Sequence, residues 1–343
     1  MEAHLVTGSV ALEFADRVRD WEAERLAPQA TPSYPARRPR DEEDCGLRTP
    51  FQRDRDRVVH SKAFRRLKHK TQVFPSPEGD HYRTRLTHTL EATQVSRTVA
   101  RALRLNEDLV EAIGLAHDLG HPPFGHIGEE VLDRCLGERF GRGFRHNEHS
   151  LRVVDAIERG GEGLNLTEPV RDGILCHSSR AAEPATPEGH IVRLVDRIAY
   201  INHDIDDALR AGVIGLRDLP GEEIAILGDT GARRIDTLVH DLVEHSAAAG
   251  EIVQGEKVGA AMVRLRDFMF HSVYLGERAR QEHAKIERVI STLFHHYCEY
   301  PDLLPDPVAG GDLADRVTDY LAGMTDRFCT RAFEAIAVPR SFP

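Results

Sequence analysis

Histidine and aspartate stand where apolar residues are expected on three predicted helices. His88, His117 and Asp196 each occupy the apolar face of an amphipathic pattern, and Asp118 directly follows His117. A buried imidazole or carboxylate is costly unless it is paired or coordinates an ion. Two His and two Asp form a nitrogen and oxygen set that suits a divalent metal, with positions left for water. The pattern predicts a metal site; hydrogen-bonded core histidines and a salt-bridged packing aspartate are the alternative.

A second polar cluster lies on both sides of the helix-breaking pair Pro122-Pro123. It contains the candidate catalytic residues His121, His126, Glu129 and His146. His126 and Glu129 are three residues apart, so a helix places them on one side, where they can hold a proton-transfer group. The alternative is a helix start whose acidic residues favour the helix dipole.

Arginines and lysines are concentrated between residues 53 and 70 of a chain whose net charge is −11. This segment predicts a local anion-attracting patch, and for most of its side chains an ordinary solvated helix face is the alternative. Arg83 and Arg85 differ because they closely precede His88, where a guanidinium can clamp a phosphate. Metal, acid–base pair and arginines together predict metal-assisted phosphoester hydrolysis.

Helical periodicity dominates the chain and predicts an all-α fold. The predicted helices lie at 9–26, 86–104, 107–119, 190–210 and around 286–297. A small β-hairpin, Gln72–Phe74 with His81–Arg83, is the exception, and 28–52 is typical of an irregular Pro- and Arg-rich arm. We predict three regions: the N-terminal helix and arm over 1–52, a metal-bearing core over 53–225, and a C-terminal helical region over 226–343.

The composition excludes several classes of protein. The 343 residues are 41% hydrophobic and 29% charged, and no stretch approaches the ~20 apolar residues of a membrane-spanning helix. The N-terminus lacks the apolar core of a secretory signal. Five scattered cysteines without a CxxC pair fit a reducing compartment and exclude a thiolate zinc site. We therefore expect a cytoplasmic protein with no membrane partner.

The order of the metal-type residues resembles the H…HD…D signature of the HD superfamily of phosphohydrolases. The flanking segments are more specific than that short signature. They are Phe64-Arg-Arg-Leu67, Lys70-Thr-Gln-Val-Phe74, Arg83-Thr-Arg-Leu-Thr-His88-Thr-Leu-Glu91, His117-Asp-Leu-Gly-His-Pro-Pro-Phe-Gly-His126 and Asp196-Arg-Ile-Ala-Tyr200-Ile-Asn-His-Asp204. These segments are similar to those of bacterial deoxyguanosinetriphosphate triphosphohydrolase-like proteins, the dNTP triphosphohydrolases, and the resemblance covers most of the chain.

The resemblance implies hydrolysis of dGTP or other dNTPs to deoxynucleoside and inorganic triphosphate, by a metal-activated water that attacks the α-phosphorus. The implied ligands of the divalent metal are His88, His117, Asp118 and Asp196. Mg²⁺ or Mn²⁺ is the first expectation for this cofactor, and Fe, Co, Ni or Zn would also suit the ligands.

The same resemblance assigns the remaining site residues. His126 and Glu129 match the family's catalytic pair, and His121 and His146 match histidines near the phosphates. Substrate binding is implied for Arg85 at the α-phosphate, for Tyr200 and Asp204 at the deoxyribose, and for Arg66 and Leu67. Tyr200 would crowd the 2′ position, which rejects a ribose hydroxyl by sterics, and Asp204 would bond the 3′-OH.

The resemblance also implies a homo-oligomer, from dimer to hexamer, with dNTP activators at interface sites. One rival function is that of another HD hydrolase acting on a nucleoside monophosphate, a cyclic nucleotide or an alarmone. Such an enzyme would share the metal ligands without needing Tyr200 and Asp204. A nucleotide-sensing or weakly single-stranded-DNA-binding protein with a structural metal is the other rival; residues 53–70 favour it and the net charge opposes it.

Overall fold

Helices make up the regular structure of this chain. The computed structural model describes residues 9–72, 83–274 and 276–339. Within these ranges there is no β-strand, and Thr71 and Thr84 form an isolated antiparallel bridge. The all-α prediction is confirmed. The predicted hairpin falls mostly on residues 73–82, which lie outside the described residues.

The α-helices of the first half surround the predicted site. They are α1 (Ser9–Leu12), α2 (Phe14–Arg25), α3 (Pro50–Val59), α4 (Lys62–Arg66), α5 (Arg85–Ala102), α6 (Glu107–Ala116), α7 (Gly125–Phe140), α8 (His146–Arg152), α9 (Glu168–Cys176) and α10 (Pro187–Arg210). Those of the second half are α11 (Gly221–Leu227), α12 (Gly231–Ala249), α13 (Glu256–Met269), α14 (Glu277–Glu299), α15 (Leu313–Ala322) and α16 (Asp326–Ala337). A π-helical turn, Phe270–Tyr274, continues directly from α13.

Each helix predicted from periodicity has a counterpart. The predicted N-terminal helix is interrupted at Glu13 and forms α1 and α2. The predicted helices at 86–104, 107–119 and 190–210 correspond to α5, α6 and α10, and the C-terminal one is α14. The arm predicted at 28–52 is non-helical as far as Thr49, where the capping box of α3 begins. Arg38 fixes this arm to the core, because its guanidinium pairs with the buried Asp54.

A capping box starts α5 and orients the first turn of the site. The hydroxyl of Thr84 accepts from the backbone N of Thr87 at 3.4 Å, and the hydroxyl of Thr87 accepts from the backbone N of Thr84 at 3.0 Å. Such caps are typically worth about 1 kcal/mol. The box fixes where α5 begins, and Arg85 and His88 therefore both lie in its first turn, buried against the core.

The central core is formed by α5, α6 and α10, and α3 packs on the outside of α6. Helix α6 is mostly apolar after its acidic first turn, with Leu109, Ile113 and Ala116 fully buried. Gly114 lets it approach α5 closely, because a Cβ at this position would lie 2.6 Å from the hydroxyl of Thr93. This close approach brings His117, at the end of α6, next to α5.

A second apolar cluster supports α7 from the C-terminal side. Buried residues of α7, α14, α15 and α16 meet there, among them Leu132, Phe294, Val317 and Cys329. The predicted boundaries after residues 52 and 225 fall inside α3 and α11, and the three-region division itself stays a prediction. Among the helices of the described ranges, none has the length and apolar character needed to cross a membrane.

Candidate active site

Three helices bring His88, His117 and Asp196 together. The Nε2 atoms of His88 and His117 lie 3.0 and 3.6 Å from the same Oδ1 of Asp196. The three potential ligand atoms are all within 4.8 Å of one another. Burial alone would raise the pKa of the Asp196 carboxyl, but the hydrogen bond with His88 and the neighbouring His117 hold it below its usual range. The cluster therefore presents a carboxylate and two imidazoles to one point.

The orientation of His117 fits metal coordination. Its Nδ1 donates to the backbone carbonyl of Gly114 at 2.7 Å, so the lone pair of the neutral ring is on Nε2. That Nε2 is buried and has no hydrogen-bond partner in the described part of the chain. Unpartnered buried polar atoms are rare in native proteins and call for a bound group. The donor set fits the divalent metal that the HD signature implies.

Asp118 and Arg85 form a buried ion pair beside this cluster. Arg85 Nη1 lies 2.5 Å from Asp118 Oδ2, and the two side chains are only 3% and 6% exposed. Burial alone would raise the pKa of Asp118, but the Arg85 guanidinium and His117 hold it well below its usual range. The other nitrogens of Arg85, Nε and Nη2, are buried without a partner among the described residues. The guanidinium thus has two donors free for an anion.

Glu129 and three histidines form a second group next to the first. The ring Nδ1 and the backbone N of His146 both lie 2.9 Å from Glu129 Oε1. On the other side of the ring, Nε2 of His146 lies 3.1 Å from Nε2 of His177, whose Nδ1 donates to the carbonyl of Ile174. His177 can therefore only accept at Nε2, and His146 donates. Burial opposes the protonation of His146, but the Glu129 carboxylate outweighs it and raises the pKa of the ring.

Two further histidines lie next to this group: His121 is buried and His126 is exposed. The ring of His121 is buried and stacks on His146 with centroids 4.7 Å apart. Its Nε2 has no hydrogen-bond partner among the described residues, and Glu129 Oε2 is 3.9 Å away. Burial and the nearby Arg85 lower the pKa of His121 well below its usual value, so the ring is neutral. The side chain of His126 is 68% exposed, and its Nδ1 is 3.7 Å from Glu129 Oε2. The predicted pair His126 and Glu129 is adjacent, but the closest imidazole to Glu129 is that of His146.

A strained loop carries these side chains into α7. Phe124 has a φ of +63°, in the left-handed region, which costs about 1–2 kcal/mol for a residue with a side chain. Its backbone N donates to Asp326 Oδ1 at 3.0 Å. The buried Lys70 donates to the carbonyl oxygens of His121 and Ala322 at 2.5 and 2.7 Å. Contacts from two distant parts of the chain thus hold the loop in place.

Tyr200 and Asp204 lie on α10, one and two turns after Asp196. Asp204 is buried, and burial together with the neighbouring Asp207 raises its pKa well above the usual value. It accepts a hydrogen bond from the hydroxyl of Tyr274, at the end of the π-helical turn, while its Oδ1 has no partner among the described residues. The Oδ1 of Asp204 is therefore suited to contact a hydroxyl group of a ligand.

The other two predicted substrate residues, Arg66 and Leu67, differ in how deeply they are buried. Arg66 is half-buried, and its Nε has no hydrogen-bond partner within the described ranges, whereas Leu67 is fully buried in the central core. Much of the basic charge between residues 53 and 70 is already paired. Arg53 and Arg57 contact Glu42, and Arg55 contacts Glu111 and Asp56. The anion-attracting patch expected over residues 53–70 is therefore smaller, because acidic partners offset the charge of these three arginines.

Sequence reasoning missed His177, His203 and Tyr274. His177 ends α9 as His117 ends α6, each after an apolar run and each bonded to the carbonyl three residues earlier. The apolar run before each histidine is visible in the sequence and could have indicated His177. His203 directly precedes Asp204, and its ring faces His88 with centroids 5.7 Å apart. For Tyr274 no signal exists, because its place depends on how α13 packs.

Comparisons with known proteins agree with this geometry. The model of the HD domain matches residues 85–201, and that of the phosphohydrolase-associated domain matches residues 252–335. A deoxyguanosinetriphosphate triphosphohydrolase-like protein of Caldanaerobacter subterraneus subsp. tengcongensis is 52% identical over 321 residues, covering 92% of this chain and 93% of its own. One of the same name from Clostridium perfringens (strain 13 / Type A) is 50% identical over 317 residues, covering 88% and 91%.

Among solved structures, a hypothetical protein from Aquifex aeolicus aligns over 81% of this chain and 67% of its own, with 21% identity and a TM-score of 0.46. The sequence relatives decide the assignment, since they are about half identical along nearly their full length. The chain belongs to the family of deoxyguanosinetriphosphate triphosphohydrolase-like proteins and is a metal-binding hydrolase of the HD superfamily.

Proposed function

We propose that this protein hydrolyses deoxynucleoside triphosphates to deoxynucleoside and inorganic triphosphate, with a divalent metal held by His88, His117, Asp118 and Asp196. The names of its relatives support this substrate class. The clustering of the ligand atoms of His88, His117 and Asp196 supports three members of this set. Asp118 is included because its Oδ2 lies 3.5 Å from Nε2 of His117, although its oxygen also clusters with His146 and His177. Mg²⁺ or Mn²⁺ is the first choice of metal, and Fe, Co, Ni or Zn would also suit the donors.

The observation that carries the proposal is the guanidinium of Arg85. It is buried beside the metal cluster, one of its nitrogens neutralises Asp118, and its Nε and Nη2 have no protein partner within the described ranges. A buried arginine with free donors is expected to bind an anion, and its planar fork suits two oxygens of a phosphate. A phosphate held there would lie next to the metal ligands, as attack on phosphorus requires.

When bound, the metal supplies a Lewis acid that polarises a phosphoryl oxygen or a water molecule. Arg85 binds the phosphate that reacts and offsets its negative charge. His121 can donate to a second phosphate in the tautomer that carries its proton on Nε2, a nitrogen with no hydrogen-bond partner among the described residues. The paired Glu129 and His146 hold a carboxylate and an imidazole at the edge of the same space.

His126 is the group we assign to proton transfer. Its exposed ring can turn toward either Glu129 or the leaving 5′-oxygen of the nucleoside, because few contacts restrain it. Glu129 is kept ionised: burial would raise its pKa, but His126 and His146 lower it well below the usual range. The exposed ring of His126 takes up a new proton from water between turnovers, and the ionised carboxylate of Glu129 lies beside it as it does so.

We assign Tyr200 and Asp204 to the deoxyribose. The free Oδ1 of Asp204 suits the 3′-OH, and the Tyr274 hydroxyl holds the other oxygen of this carboxyl in place. Tyr200 lies one turn nearer the metal cluster, where its ring can exclude a 2′-hydroxyl. Contacts of Arg66 and Leu67 with substrate stay a prediction; for the buried Leu67 they would be indirect.

The test is a product assay with the metal-loaded protein. The four dNTPs are supplied singly and mixed, and the phosphate products are separated by ion-exchange chromatography. We expect inorganic triphosphate from the wild type. Arg85→Gln and His126→Ala should each lower its rate by about 100-fold, the usual effect of removing a charge-stabilising or proton-transfer group. Arg101→Gln is the control, since Arg101 lies on the same helix but is 68% exposed and pairs with Glu107.

Other products would overturn the assignment. Release of monophosphate or pyrophosphate would favour another HD nucleotide hydrolase. Absence of any hydrolysis, with steeply salt-dependent oligonucleotide binding that survives Glu129→Ala, would favour a single-stranded-DNA-binding protein with a structural metal. Activity only in the nucleotide mixture would support dNTP activation. We also propose homo-oligomeric assembly, which light scattering with and without dNTPs would test.

A further inference from the structure

His88 has a neighbour on the side away from the metal cluster. Its Nδ1 lies 3.4 Å from Nδ1 of His203, and both rings are buried. The other nitrogen of His203, Nε2, lies 3.2 Å from Glu91 Oε2. A continuous line of polar atoms thus runs from Asp196 through His88 and His203 to Glu91.

The protons along this line are determined once His88 binds a metal. Coordination through Nε2 leaves the neutral ring of His88 with its single N–H at Nδ1. That N–H has to donate to Nδ1 of His203, so His203 carries its own proton on Nε2. The Nε2–H then donates to the carboxylate of Glu91. Each nitrogen has one role, and no other tautomer satisfies every contact.

We propose that His203 and Glu91 are positioning residues that orient His88 and strengthen its bond to the metal. This inference rests on the metal set of the proposed function. A carboxylate behind a ligating imidazole fixes its tautomer and makes the ligating nitrogen more basic, and loss of such a partner typically weakens metal binding 10- to 100-fold. In this protein the imidazole of His203 lies between the carboxylate of Glu91 and the ring of His88, so the effect acts through one additional ring.

The surroundings of His203 support its role as a neutral relay. Its ring is buried and both of its nitrogens face a partner, Nδ1 that of His88 and Nε2 the carboxylate of Glu91. Glu91 has a second partner, because the Nε of Arg83 lies 3.1 Å from the same Oε2. The guanidinium holds the carboxylate toward His203.

A matched control residue lies on the same wall. Glu91, His203 and Asp206 line one cavity of about 510 Å³ between α5, α10 and α12. The side chains of Glu91 and Asp206 are 42% and 41% exposed, and both contact Arg83. Only Glu91 contacts His203. The two carboxylates are therefore alike in exposure and charge and differ in their link to the metal cluster.

The experiment measures the affinity of the apo-protein for Mn²⁺ by competition with a chromophoric chelator. We expect Glu91→Gln to weaken Mn²⁺ binding by about 10-fold and His203→Phe by about 100-fold. Asp206→Asn should leave the affinity within about twofold of the wild type. Thermal unfolding of each apo-protein checks that the fold is retained, and kcat at saturating Mn²⁺ should recover largely in Glu91→Gln.

Two results would overturn the inference: unchanged Mn²⁺ affinity in Glu91→Gln, or an equal loss in Asp206→Asn. A wild-type protein that takes up no divalent metal would remove both the inference and the proposed metal set. If the wild type binds Mn²⁺ and Glu91→Gln binds it more weakly, but no dNTP is hydrolysed, the inference holds and the proposed substrate fails.

Discussion

Replacement of Asp326 by alanine should damage both stability and activity, although the residue lies at the start of α16. Its Oδ1 accepts from the backbone N of Phe124 at 3.0 Å, and its Oδ2 accepts from the backbone N of Thr71 at 2.8 Å and from the Thr71 hydroxyl. All three residues are buried. Asp326→Ala would leave these donors without their acceptor, in a place that water does not reach.

The expected magnitude follows from those contacts. A hydrogen bond to a charged group contributes about 1.5–3 kcal/mol, and the three share one carboxylate, so their losses are not additive. We expect Asp326→Ala to lower the free energy of unfolding by about 4 kcal/mol. Phe124 would lose the contact that offsets its left-handed backbone, and α7, with His126 and Glu129, would lose its fixed start. The rate of triphosphate release should therefore also fall by at least about tenfold.

The assay pairs urea unfolding with the product assay and uses Asp312→Ala as the control. Asp312 caps the neighbouring α15, but its side chain is 53% exposed and faces Arg142. Loss of an exposed cap costs about 1 kcal/mol. Equal losses in the two variants, or an Asp326→Ala protein with wild-type stability, would refute the reasoning that the C-terminal helix holds the loop before α7.

Three further predictions concern the pH dependence of stability, the residues assigned to the deoxyribose, and the metal. Burial lowers the pKa of Lys70 to about 7, below its value in the unfolded chain, so the unfolded state binds more protons between pH 7 and 10.5. Stability should rise with pH in this window, by about 2 kcal/mol from pH 7 to 9 relative to Lys70→Met in parallel urea titrations. Tyr274→Phe keeps the ring but removes the hydrogen bond to Asp204, so kcat/KM for dNTPs should fall about tenfold while the melting temperature falls by only about 2–4 °C. Mn²⁺ at one hundred times its Kd should stabilise the wild type by about 2.7 kcal/mol against a chelator, and Asp196→Asn should abolish this gain in thermal unfolding.

Periodicity predicted the local part of this structure. His88, His117 and Asp196 interrupt apolar stripes, and the structure brings their ligand atoms within 4.8 Å of one another. Helix existence follows from the same repeats, whereas helix ends depend on caps. Thus α5 begins at Arg85, where Thr84 caps it, and ends at Ala102, close to the range expected from periodicity.

Long-range packing produced the parts that periodicity could not predict. Tyr274 reaches Asp204 from 70 residues away, and Asp326 reaches Thr71 from 255 residues away. Nothing in the residues around Tyr274 or Asp326 differs from an ordinary amphipathic helix. Their roles arise only when α13 and α16 pack on the site. The sequence placed His146 in one cluster with Glu129, but their direct contact could not be predicted, because His146 lies on a different helix.

Because the π-helical turn at Phe270–Tyr274 continues directly from α13, the number of residues in this helical run determines where Tyr274 lies. Tyr274 ends a continuous helical run that begins at Glu256, and its hydroxyl reaches Asp204 only at one rotational phase. A helix turns by about 100° per residue. A one-residue gap or insertion between these points would rotate Tyr274 away from the site, together with the residues that lie between it and the change. Among homologues, substitutions on the exposed face of this run should be common, and insertions or deletions within it should be rare.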